Sequence, residues 1–110
     1  MIQAKMVNNV RTKSLSLTLK GHAGYAVAGS DNVFASASIL AYTLLQNLSK
    51  ARIARFASLE PGDSVIECKC LSEEEYAKAD SYFGFTFSGL ELLSDNYPDY
   101  VSAKSMVTAE

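Results

Sequence analysis

Polar and apolar residues alternate strictly through SLSLTLK, with Leu15, Leu17 and Leu19 on one side and Ser14, Ser16, Thr18 and Lys20 on the other. A period of two predicts a half-buried strand, because successive side chains leave a pleated backbone on opposite faces. MIQAKMV repeats the pattern, setting Ile2, Ala4 and Met6 against Gln3 and Lys5, and NNVRTK reads as a turn or short hairpin loop between the two strands. The period then lengthens. Apolar residues recur at helical spacing in two series, Val33, Ala37, Leu40, Leu44 and Phe34, Ala37, Ala41, Leu45, Leu48. They predict a helix capped by Asp31 and ending near Lys50. Its early ASAS segment is all small, so a neighbour is expected to pack closely there.

ARIARFASLEPGDSVIECKC reads as two strands joined by a Pro61-Gly62 turn. Ser72 with Glu75 three residues later forms the capping box of a second helix. Tyr76, Ala79, Phe83, Phe87, Leu90 and Leu93 keep helical spacing to Asp95 or Asn96, and Pro98 stops it. Gly84 and Gly89 lie inside that helix, where glycine lowers stability, so close packing or a bend is expected. YVSAKSMV closes the chain as a strand. The order β-β-α-β-β-α-β predicts an α+β fold in two layers, with two helices packed on a mainly antiparallel sheet. The other sheet face is then left open or forms a dimer interface. With 110 residues, no internal repeat and no linker, the prediction is a single domain spanning residues 1–110.

Charge narrows the function classes. A net charge of -2, without a basic cluster interleaved with aromatics, argues against direct nucleic-acid binding. Neither a charged-then-apolar leader nor a run long enough to span a bilayer is present, so no membrane partner is expected. Cys68 and Cys70, one residue apart on a predicted strand, would form a badly strained bridge. Two thiols in so small a domain point to the cytoplasm. One such pair with one distant histidine is a poor zinc site, and ordinary strand residues are the simpler reading.

The candidate chemistry lies in GHAGYAVAGSDNVFASAS, residues 21–38, which holds the only histidine. Gly21, Gly24 and Gly29 mark a mobile connection between the second strand and the first helix. Position 34 is expected in the first turn of that helix, beside free backbone N–H groups and the positive dipole end. A cysteine there, facing the imidazole of His22, would have a depressed pKa and act as a thiolate nucleophile. The residue present is Phe34, which has no such chemistry.

This stretch resembles the signature of the ribosomal-processing cysteine proteases, the Prp family, whose pattern runs G-H-A and then G-x-D-x-V-C-A-x-x-S. Gly21, His22, Ala23, Gly29, Asp31, Val33, Ala35 and Ser38 match at the family's spacing, and LELLSDNYPDYV resembles the family's Leu-rich helix ending in Y-P-x-Y-V. The resemblance implies a small cytoplasmic endopeptidase, usually a homodimer, that removes an N-terminal extension from a large-subunit ribosomal protein. By the same resemblance His22 is the general base, and Asp31, Ser38, Gly21 and Gly29 line the site. The nucleophilic cysteine aligns with Phe34. Val27 and Ala28 replace more polar loop residues, and Asn32 replaces the usual isoleucine.

Other nucleophiles are Ser38, one turn from Phe34 on the same helix face, Ser30 in the loop, Ser36 on another face, and Cys68 and Cys70 on a different element. Each requires the site to be rebuilt. Loss of a nucleophile removes most of an enzyme's rate, leaving roughly 10³-fold over water. The expectation is therefore a pseudoenzyme of the cysteine endopeptidase family, with little or no protease activity, that binds the leader peptide or an active relative. Two rivals stand beside it: an endopeptidase using another Ser or Cys nucleophile, and a purely structural dimer. In the structural reading His22 is a loop residue making hydrogen bonds, Asp31 only a cap, Ser38 a small packing residue, and Phe34 either a plug in the cleft or core. Tyr76, Tyr82, Phe83, Phe85 and Phe87 are expected in the core and on a dimer surface. No phosphate loop, metal cluster or second histidine accompanies them, and no cofactor is expected.

Overall fold

The computed structural model describes residues 1–21 and 30–110, and for Ser30 and Asp31 the backbone only. Seven elements follow the expected order: β1 (Ile2–Asn9), β2 (Ser14–Lys20), α1 (Ser30–Lys50), β3 (Arg55–Glu60), β4 (Asp63–Lys69), α2 (Glu73–Asn96) and β5 (Val101–Thr108). The strands form one sheet in the order β3-β4-β2-β1-β5. Neighbours run antiparallel except β1 and β5, which are parallel.

The alternation read from the sequence sets the layers. Ile2, Ala4, Leu15, Leu17, Ile66, Cys68 and Val101 point to the helices and are buried with Val33, Ala37, Ala41, Leu44 and Leu48 of α1 and Ala79, Phe83, Phe87 and Leu90 of α2. By the strand register, Gln3, Lys5, Ser16, Thr18, Lys20, Glu67 and Lys104 lie on the opposite face, which no element of the described residues covers. Of the aromatic series, Phe83 and Phe87 are core, Tyr76 and Tyr82 pack at its margin, and Phe85 stands 77% exposed.

Local contacts explain the boundaries. Ser72 caps α2 by accepting from the Glu75 N–H at 3.1 Å, and the Glu75 carboxylate accepts from the Leu71 N–H at 2.9 Å. The reciprocal bond of the capping box thus reaches one residue further back than the sequence motif implies. α1 ends in a left-handed residue, Arg52 (φ 58°). Its N–H bonds to the Ser49 carbonyl at 3.1 Å, and the Ile53 N–H bonds to the Leu48 carbonyl at 3.1 Å. That bonding is a Schellman ending, sealed by the fully buried Ile53 and Leu48, and it turns the chain directly into β3. Where the two helices pack, a Cβ on Gly89 would lie 2.6 Å from Leu40 Cδ2. Close packing, one of the two reasons considered for an internal glycine, holds there. Around Gly84 there is open space.

The start of α1 differs from expectation. The helix already includes Ser30 and Asp31, so Asp31 lies inside the first turn and not at the cap position. Phe34 becomes the fifth helical residue and stands past the unpaired N–H groups of the helix end.

Candidate functional site

One cleft, of about 110 Å³, opens where the first half of α1 meets the β3–β4 turn. Phe34, Ala37, Ser38, Ala41 and Tyr42 form one wall, and Leu59, Glu60, Pro61 and Gly62 form the other. Ile2, Leu19 and Gly21 close the end nearest the sheet centre. Positions 34, 38 and 42 are each one turn apart, so they make a single stripe along α1.

Two local features build this corner. Gly62 has φ +77°, which suits the third position of a Pro-Gly turn, and its carbonyl accepts from the Gly21 N–H at 2.9 Å. Gly21 itself has φ +94°, and a Cβ there would strike the Met1 carbonyl oxygen. Glycine is therefore required at the exit of β2 on both conformational and steric grounds. Charge is sparse: the Lys20 ammonium pairs with Asp63 at 3.1 Å across the exposed β2–β4 register, and Ser64 Oγ donates to the Glu60 carbonyl at 3.0 Å.

Of the residues named from the sequence, Phe34, Ser38 and Gly21 are brought together in this cleft. Phe34 is not core: it is 36% exposed and lines the opening. Its place settles the choice between a core residue and a residue of the cleft. His22 and Gly29 lie outside the described residues, as does the Asp31 side chain. Gly21, the last described residue before His22, borders the cleft, and α1 carries Phe34 into it from the other side.

The alternative nucleophiles are placed differently. Ser36 is turned away and donates to the Asn32 carbonyl at 2.8 Å. Cys68 pairs in register with Leu15, whereas Ser64 of the cleft pairs with Leu19. The cysteines therefore lie some four strand residues, about 13 Å, from the cleft. Both are free thiols and buried. Burial, with its neighbour Cys70, pushes the Cys68 thiol up to about 12, and burial raises Cys70 as well. Such thiols are held neutral and are poor nucleophiles. Ser38 alone among the described candidates shares the cleft with Phe34.

Sequence reasoning missed Tyr42 and the whole β3–β4 wall. Tyr42 was accessible to it, being two turns from Phe34 on one stripe. The turn wall was not, because it reaches α1 only through the sheet order.

The described residues form a two-layer α+β domain with a cleft between the first half of α1 and the β3–β4 turn. The chain belongs to the cysteine protease Prp family, which it matches over residues 1–102. Among solved structures it is similar to SMU.848 from Streptococcus mutans, with 26% identity and a TM-score of 0.74 over 98% of this chain and 96% of that one. It also shares its fold with the essential ribosomal processing protease Prp from S. aureus. That protein in complex with a covalently linked product peptide matches at 16% identity and a TM-score of 0.76, over 96% of this chain and 99% of that one. In complex with a substrate peptide it matches at 14% identity and a TM-score of 0.74, with the same coverage. No curated protein matches the sequence.

Proposed function

We propose that this protein binds the N-terminal extension of a ribosomal protein in the α1–turn cleft but cleaves it slowly or not at all. The observation that carries this reading is Phe34, in the cleft at the position the family signature gives to the nucleophilic cysteine. A phenyl ring supplies no electron pair for attack on a carbonyl, so His22, the family's general base, has no proton to remove there. The S. aureus ribosomal processing protease, which shares this fold and has been seen with a covalently linked product peptide and with a substrate peptide, supports peptide as the ligand class. The protein acts in the cytoplasm as a homodimer, or paired with an active relative, and needs no cofactor.

A second reading rests on Ser38, which lines the same cleft. If its hydroxyl attacks with His22 as base, the chain is a serine endopeptidase. Incubating the leader-bearing ribosomal protein with the native chain, Phe34→Cys and Ser38→Ala separates the two. The proposal expects cleavage by Phe34→Cys only. Cleavage by the native chain that Ser38→Ala abolishes would establish the second reading.

A further inference from the structure

Among the described residues, strand β3 is an edge strand, bonded to β4 on one side only. Its ladder phase is fixed by the bond from the Lys69 N–H to the Ala54 carbonyl at 3.3 Å. Partners in an antiparallel ladder alternate, so Phe56, Ser58 and Glu60 bond inward to Glu67, Val65 and Asp63. Arg55, Ala57 and Leu59 then present their N–H and C=O groups to the open edge. Such edges are normally blunted by lysine, proline or a bulge. Between Phe56 and Leu59 there is no charge and no proline. The opposite edge strand, β5, carries Lys104 in its middle.

The open edge also runs into the cleft, since Leu59 and Glu60 belong to both. Exposed aromatics flank it on its two sides: Tyr42, 54% exposed, on the helix side with Phe34, and Phe56, 59% exposed, on the outer face. Side chains of an added strand alternate between those two sides.

We propose that the edge of β3 is the template for an extended peptide, which adds as a sixth strand and places one side chain in the cleft beside Phe34. This rests on the peptide-binding reading above and adds how the peptide is held. Main-chain bonds to Arg55, Ala57 and Leu59 would hold any extended segment, and selection would come from the alternate side chains that meet Phe34 and Tyr42 or Phe56.

The test is amide hydrogen exchange of the full chain with and without a synthetic peptide spanning the ribosomal protein's N-terminal extension. The Ala57 and Leu59 amides should slow about tenfold or more on binding, while Phe56 and Ser58, already bonded to β4, change little. Ala57→Pro, tolerated where an edge N–H faces out, should weaken binding, as should N-methylation of alternate residues in the peptide. Binding that leaves Ala57 and Leu59 unprotected, or that ignores N-methylation, overturns the edge proposal and spares the function. Protection of these amides in the free chain that vanishes on dilution shows a second copy on the edge and also overturns it. Absence of any peptide binding overturns both readings.

Discussion

Ser38 lies one helical turn beyond Phe34, and both line the same cleft against the β3–β4 turn. The pair joins a residue unable to attack a carbonyl to a hydroxyl at the neighbouring position. The proposed function treats binding and catalysis as separable: the walls of the cleft are present, and Phe34 stands where the family resemblance expects the attacking atom.

The two glycines of α2 should respond oppositely to alanine. Around Gly84 an added Cβ meets nothing within 4 Å, so Gly84→Ala should stabilise by about 0.5–1 kcal/mol through helix propensity alone. At Gly89 the same methyl group would lie 2.6 Å from Leu40, and overpacking should cost about 1 kcal/mol net. Thermal unfolding of the two variants checks the sign of each.

Arg52 occupies the left-handed position that ends α1, where glycine is the usual residue. Its side chain is not needed for the two bonds that close the helix. Arg52→Gly should relieve backbone strain and raise stability by roughly 0.5–1 kcal/mol. Urea denaturation should show a higher midpoint with an unchanged slope.

Both thiols should be unreactive in the folded chain. Ellman's reagent at neutral pH should label neither Cys68 nor Cys70 until denaturant is added, because both are buried. The raised folded pKa also gives a stability profile. Cys68 is shifted from 9.0 to about 12, so its contribution is full below pH 9 and is lost as pH rises toward 12. Stability should fall over that window, and less steeply in a Cys68→Val, Cys70→Val variant.

Much of this molecule was readable from its patterns. Period-two runs such as Ser14–Lys20 and the Ser72–Glu75 cap fixed strands and a helix start because those signals are local. The start of α1 was less legible: Asp31 is a good cap by type, yet the helix includes Ser30, one residue earlier. For Phe34, helical spacing fitted a core residue as well as a cleft residue, and only the packing of α1 against the β3–β4 turn separates the two. That turn reaches the site through the order β3-β4-β2, a long-range arrangement no local pattern encodes.

The most direct test of the central claim is a mass-resolved cleavage assay on the leader-bearing ribosomal protein, with the native chain and Phe34→Cys compared at equal concentration. The account predicts that the native chain leaves the substrate intact, while Phe34→Cys releases the leader and is stopped by a thiol alkylating agent. Release of the leader by the native chain at a rate similar to that of Phe34→Cys would contradict it.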